Sequence, residues 1–366
     1  MAITPVHEKC DIITRGESLA MKGVGILLIV THNLAHLLGV TKHDCNEFNF
    51  EQESANLLYD VLLHPSHNIA LQLSSLVGYC GIYIFLFLSA FGLVRKYEQG
   101  AAQAPAPHAF VALHYKKLWK LMLPGLLAAI LVRALLPDFA IPLKRCILTQ
   151  AFMVSNWMNP PYDYVIPGPY WFLGMMVEVY VIYRLFLYVP QGGARWRKWL
   201  PPIVFAAITL APQFYWSTAG WQMIYLRYNF FVAGLSFAAG LIVARYGGIP
   251  RLRRRWWALV CVASVALFVV MQQSAVLWIL SCLVAAVSII AFVKALPPIV
   301  MPPLEWVGKI SAFLFIMHPV VRYFALVMKG TIGNHLLVAL YLIAALLAAA
   351  AYHRIAPHIP WPKWLR

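Results

Sequence analysis

Charge is the scarcest property of this sequence: only 11% of its residues are charged, and acids are rarest, 13 against 29 Lys and Arg. With 62% hydrophobic residues and a mean hydropathy of +0.72, the polar surface that a water-soluble domain needs is missing. The longest hydrophilic gap is 41–68, too short for a soluble domain, so 1–366 reads as a single membrane domain with no fused soluble part. The six cysteines (Cys10, Cys45, Cys80, Cys146, Cys261, Cys282) form no CxxC pair and no Cys/His ligand spacing, which indicates neither a zinc site nor a disulfide framework. No internal repeat is visible. A cleavable leader is not expected either, because 1–15 is mostly polar and the first apolar run continues into a complete span. A net charge of +16 would suggest a nucleic-acid partner in a soluble chain, but here the bases sit in short clusters between apolar runs. That is a membrane topology signal, and nucleic-acid binding is not expected.

What the sequence does have is long apolar runs. A hydrocarbon core of ~30 Å takes about 20 helical residues, and backbone in lipid must satisfy its own hydrogen bonds. The runs are 19–40, 69–94, 118–136, 168–189, 200–217, 228–245, 256–272, 276–294, 308–328 and 335–353. Placing the N-terminus inside puts roughly three Lys or Arg on the inner side for each one outside. The fold class is therefore all-α, a polytopic helical membrane protein of about ten transmembrane helices with cytoplasmic N- and C-termini. Two outer loops are long, 41–68 and 137–167, and 147–157 is apolar but too short to span, as a re-entrant or interfacial element would be. Cys45 and Cys146 fall in these two loops and form a disulfide there if the loops meet.

Ionisable side chains inside spans are costly, so each is a functional candidate beside the plainer reading of a satisfied structural group. In KGVGILLIVTH (22–32), ten residues at 1.5 Å rise put His32 about 15 Å from Lys22, near the midplane if Lys22 marks the inner boundary. His36 lies one turn further out on the same face. A His-x3-His pair also suits a metal, but no third ligand is evident and none is expected. Glu178 is the acid inside an apolar helix, able to tune a histidine or to pair with an arginine of another helix. His318 is a further intramembrane histidine. Ser89 sits in GIYIFLFLSAF (81–91), whose small residues also permit close helix approach. Arg95, Lys116, Lys117 and Lys120 gather at the inner mouth, where they either cradle a phosphate-bearing ligand or anchor the topology.

In this order these segments resemble the acyltransferase-3 family, integral-membrane O-acyltransferases that modify surface polysaccharides. KGVGILLIVTHN (22–33) is similar to the family's helix-1 run, GIYIFLFLSAF to its second motif, and KKLWKLMLP (116–124) to its basic motif. WFLGMMVEVY (171–180) and VGKISAFLFIMH (307–318) match its two later motifs. Nine residues separate Lys22 from His32 where the family usually has ten, and His32 reads as the retained histidine, with Lys22 in place of arginine. Lys117 and Lys120 stand for an arginine pair, and Ala90 for a glycine.

The resemblance implies a cytoplasmic acyl-CoA donor, most often acetyl-CoA, a hydroxyl acceptor on a cell-surface or lipid-linked glycan, no metal, and a bacterial inner-membrane location. Under it His32, helped by Glu178 and His36, is the catalytic group. Lys22, Arg95, Lys116, Lys117 and Lys120 hold the CoA phosphates. Ser89, Ser311 and His318 support the site. Trp157, Tyr164, Tyr170, Trp171 and Tyr180 offer rings for sugar stacking, and an interfacial aromatic belt explains them as well. Membrane lipid and glycan are the expected partners, and homo-oligomerisation is left open. The rival is a proton-coupled transporter or flippase, which would carry inverted repeats and broken helices that the sequence does not display.

Overall fold

The computed structural model describes residues 12–100, 104–136, 143–217, 220–247, 249–362 and 365; Cys10 and 137–142 of the second outer loop lie outside the described residues. Among the described residues the chain is helical and forms no β-strand. Helix α1 (Arg15–Ala35) starts four residues before its apolar run, because a capping box sets its first turn. Thr14 Oγ1 accepts from the Glu17 amide at 3.1 Å, and the Glu17 carboxylate accepts from the Thr14 amide at 2.8 Å. A short helix, α2 (Gln52–Leu63), occupies the first outer loop. Helices α3 (Ile69–Val77) and α4 (Gly81–Leu93) join through a tight turn at Gly78–Cys80 into one span. Then come α5 (Pro107–Leu135), α6 (Leu143–Ala151), α7 (Trp171–Ile182), α8 (Leu200–Tyr215), α9 (Gly220–Tyr228) and α10 (Gly234–Tyr246). The chain ends with α11 (Arg254–Met271), α12 (Ala275–Ala295), α13 (Met301–Lys309), α14 (Ser311–Val327) and α15 (Asn334–Ile355).

Among the described residues, seven helices are long and apolar enough to cross a bilayer, two further spans are bent pairs, and α8 is a shorter apolar helix of 16 residues. These account one for one for the ten runs. The expectation of unbroken helices is corrected: α9 and α10 meet at 74°, and α13 and α14 at 69°. Hydropathy averages along a run and does not register such a bend.

α1 is the hub, packed on α3, α4, α12, α13 and α14. Glycine makes this possible. A methyl group on Gly81 would overlap the Gly25 carbonyl, one on Gly308 the Leu19 carbonyl, and one on Gly23 the Leu304 carbonyl. Several motif glycines thus set interhelical distance. The outward faces of α5, α11 and α15 expose Leu127, Leu131, Leu135, Leu259, Val262 and Leu347, as a lipid-facing surface does. One end of the bundle collects the basic loops and is the inner end by the positive-inside rule. It is tied by Arg245, whose guanidinium meets the buried Glu98 carboxylate at 2.7 Å and also donates to the Leu187 carbonyl, and by Lys294 on Glu17 at 2.9 Å.

The stretch after 142 enters the bundle, in line with a re-entrant element. α6 descends until the carbonyls of Ala151 and Phe152 accept from Trp119 and Tyr115, at 3.1 and 3.3 Å, well inside α5. Non-helical backbone is tolerated at that depth because protein groups satisfy it.

Candidate active site

Residues of all five motifs line one cavity of about 210 Å³ in the inner half of the bundle. Lys22 and Ile29 come from α1, Ser89 from α4, Leu118 and Leu121 from α5, Phe172 and Tyr180 from α7, and Ser311 from α14. Lys22 makes no hydrogen bond or ion pair among the described residues, so its ammonium is available to a guest. Ser311 opens α14 beyond the bend, and no side chain caps that helix start. A cation, two hydroxyls and an uncapped helix start therefore converge on a mainly apolar chamber, which suits an anionic or thioester-bearing guest.

On the inner side of Tyr180 a cluster of buried rings packs against the chamber wall. The Tyr180 ring lies 4.5 Å from that of His114, which is an electrostatic neighbour of both Lys96 and Lys117. Lys96 is the cation that the sequence reading passed over in favour of Arg95. Arg95 turns to Gln99, at 3.1 Å, whereas Lys96 sits over the Tyr97 ring. On α5 the helical period separates the lysines: Lys117 flanks the Leu118–Leu121 face, while Lys116 and Lys120 turn away from it. Lys116 lines a separate apolar groove of about 890 Å³ with Tyr115, Trp119 and Phe152.

The outer end of the chamber stops at Ile29, one turn short of His32. Since α1 starts at Arg15, Lys22 lies about 10 Å and His32 about 25 Å along the axis. Along α1, Lys22 is thus in the first half of the helix and His32 in its last turn. His32 is 3% exposed. Its Nδ1 faces the Ser74 carbonyl at 3.2 Å, which fixes the tautomer with hydrogen on Nδ1, and its Nε2 faces the Glu47 carboxylate at 3.4 Å. The Cys45 sulfur stands 4.0 Å from the same Nε2, and the His36 ring is 5.5 Å away. His36 Nδ1 in turn meets Asp44 Oδ1 at 3.1 Å, a bond that holds the Asp44 carboxyl at about 2, below its ordinary value. Burial, with the Glu47 and Asp44 charges, pushes the Cys45 thiol well above its ordinary range.

Glu47 belongs to a loop pinned on several sides. The Arg227 guanidinium donates to its carbonyl at 2.7 Å and to Tyr83 Oη at 2.6 Å, and stacks 4.4 Å over Trp278. Trp278 donates to the Asn46 carbonyl at 2.8 Å, and Phe48 stacks on Tyr228 at 4.4 Å. Glu47 and Arg227 were not singled out from sequence, and Cys45 was read only as half of a disulfide. An acid in an outer loop looks solvated, and an arginine between spans looks like a topology marker. The one available hint was that acids cluster directly after the histidine helix.

Other expected site residues lie elsewhere. Glu178 accepts from Trp157 Nε1 and from the Phe230 amide, both at 2.8 Å, so its carboxylate supports the re-entrant stretch and the bend before α10 instead of a histidine or arginine. Tyr170 is fully buried with its hydroxyl on the Ile316 carbonyl, and Trp171 is buried against Phe48, so neither ring is open to a sugar. Tyr180 faces the inner chamber, not the outer loops. Trp157 is 67% exposed and Tyr164 half-buried. His318 is buried with Nδ1 on the Leu314 carbonyl and, among the described residues, no partner for Nε2. Cys45 and Cys146 are free thiols. The Cys146 sulfur donates to the Asp163 carbonyl at 3.1 Å, so the anticipated disulfide is not formed.

No curated protein and no solved structure matches the chain. A family model described as an acyltransferase domain matches residues 20–354, from within α1 to the last turn of α15, and so spans the chamber, the His32–Glu47 pair and the scaffold that aligns them. The chain belongs to the acyltransferase-3 family of membrane acyltransferases.

Proposed function

We propose that this acyltransferase moves an acyl group, acetyl in the first instance, from cytoplasmic acyl-CoA to a hydroxyl of a cell-surface or lipid-linked glycan, in a bacterial inner membrane. The observation that carries the proposal is the alignment along α1: Lys22 lines the chamber, and His32 stands one turn beyond its outer end. The lysines supply charge for the CoA phosphates, and the apolar chamber accommodates the thioester arm. His32, with hydrogen fixed on Nδ1, takes the acceptor's hydroxyl proton at Nε2, and Glu47 stabilises the imidazolium that results. The acceptor oxygen attacks the thioester carbonyl, an ester forms as the C–S bond breaks, and the imidazolium returns the proton to the departing thiolate. Ser89, Ser311 and the first turn of α14 offer donors to the carbonyl oxygen as charge builds there.

Broken spans are also a transporter feature, and this chain has two. Membership of an acyltransferase family decides for transfer over transport. The test follows radiolabel from the acetyl group of acetyl-CoA into glycan in membranes holding the wild type or His32→Ala. Label in the wild type alone supports the proposal, and equal labelling in both refutes it.

A further inference from the structure

Three donor atoms, one of them on His32, lie together in a grouping that the sequence did not suggest. His32 Nε2, Cys45 Sγ and a Glu47 carboxylate oxygen lie within 4.8 Å of one another, and His36, Asp44 and Cys45 form a second such group sharing the sulfur. The first group is the better built. Zinc bonds of about 2.0 Å to nitrogen and oxygen and 2.3 Å to sulfur place tetrahedral ligands roughly 3.3 to 3.6 Å apart. The distances from Nε2 are 3.4 Å to Glu47 and 4.0 Å to Cys45, so the nitrogen–oxygen spacing already fits and the sulfur has to move inward to complete the set.

The surroundings are those of a ligand set held in advance. The Ser74 carbonyl takes the Nδ1 hydrogen of His32 and aims the Nε2 lone pair, as the outer hydrogen bond of a metal-bound histidine does. Arg227 and Trp278 fix the loop backbone beside Glu47 and Cys45. With hydrogen on Nδ1, a lone pair faces a carboxylate, which is repulsive unless a cation lies between them. A proton fills that role in catalysis. The thiol 4.0 Å away makes the same gap fit a larger cation. Nitrogen, sulfur and oxygen donors together select zinc or cobalt over magnesium or calcium. A neutral imidazole, a thiolate and a carboxylate cancel the charge of a divalent ion.

We propose that His32, Cys45 and Glu47 bind one zinc-class divalent ion from the outer face, and that the ion silences acyl transfer by occupying Nε2 of His32. Binding forms the metal–nitrogen, metal–sulfur and metal–oxygen bonds and releases the Cys45 thiol proton to solvent. The silencing rests on the proposed role of His32, whereas the binding does not. Cys45 plays no part in the transfer, so Cys45→Ser keeps the basal activity.

The experiment titrates the purified full-length protein with Co2+ and reads the near-ultraviolet thiolate-to-cobalt band. It then measures acyl-CoA turnover as Zn2+ is added. The wild type shows a band saturating at about one equivalent that Zn2+ displaces. Cys146→Ser and Cys261→Ser keep it, Cys45→Ser loses it, and Glu47→Gln, which removes a direct ligand, weakens binding by at least the about tenfold that loss of an outer partner costs. Zn2+ inhibits the wild type and leaves Cys45→Ser active. Absence of the band, or its survival in Cys45→Ser, overturns the metal site. A band accompanied by full turnover at saturating Zn2+ overturns the silencing and the assignment of His32 as base, and leaves the binding site standing.

Discussion

Replacing Glu47 by glutamine keeps the shape of the side chain and removes its charge, which isolates what the carboxylate does for His32. In the proposed transfer the imidazole becomes a cation 3.4 Å from Glu47 Oε2. Two unit charges at that distance attract by about 5 kcal/mol at an effective dielectric of ~20 and about 1 kcal/mol in bulk water. The Glu47 side chain is 19% exposed and His32 4%, so the pair lies between these limits, and about 2 to 3 kcal/mol is the working figure. The charge pair exists only once the proton has moved, so the loss falls on kcat and amounts to about a hundredfold. The donor KM stays unchanged, because the chamber and the inner lysines are untouched. The assay is acyl-CoA turnover against glycan acceptor in purified protein, with kcat and the two KM values fitted separately. Folding is not in question, since the backbone of Glu47 is held by Arg227 whichever side chain is present. A kcat within threefold of wild type refutes the pairing of Glu47 with His32 as a catalytic unit.

Lys96→Ala and Lys117→Ala raise the KM for acyl-CoA by several-fold at low salt, with kcat little changed, and Lys116→Ala, whose side chain faces another groove, does less; equal effects of all three in donor titrations contradict the route drawn here. Gly81→Val drives two isopropyl methyls into the backbone of α1, and overpacking of about 1 to 3 kcal/mol or more lowers the unfolding temperature in detergent; an unchanged melting curve shows that α1 and α4 are not in close contact. Glu178→Gln retains turnover within a few-fold while lowering thermal stability, because its carboxylate accepts from Trp157 and the Phe230 amide and an amide oxygen still serves one of them; loss of turnover in a protein that melts normally returns Glu178 to the catalytic group.

The ten apolar runs were legible because lipid imposes a length and a composition on anything that crosses it, and each run has its helix or bent pair. Helix starts were less legible. The capping box at Thr14 starts α1 four residues before its apolar run, so Lys22 falls in the second turn of the helix and not at its start. The bends at Asn229 and Ile310 left no trace in hydropathy, since a break of one residue between apolar helices costs the average nothing. Among site residues, Lys22, Ser89, Tyr180 and Ser311 could be picked out by motif, although their convergence on one chamber is a property of packing across nearly three hundred positions of chain. Lys96 was missed beside Arg95 because nothing in the sequence tells which of two adjacent bases lies near His114.

The cost argument worked unevenly for buried charge, and the reason is instructive. Glu178 and His32 are both expensive in lipid, so sequence alone ranks them together. The structure separates them by what faces each group. Both oxygens of Glu178 meet ordinary donors, an indole and a backbone amide, and its charge is used up in holding a bend and a re-entrant stretch together. His32 has one nitrogen fixed by a carbonyl, while the other is directed at a carboxylate and a thiol across gaps too long for good hydrogen bonds. In the proposed transfer that second nitrogen is the reactive end of the residue, aligned by neighbours that leave its lone pair unspent. A buried ionisable group counts as a site only when its hydrogen-bonding capacity is left partly open toward a place where another molecule can stand. By that criterion the outer end of α1 qualifies, and the middle of α7 does not.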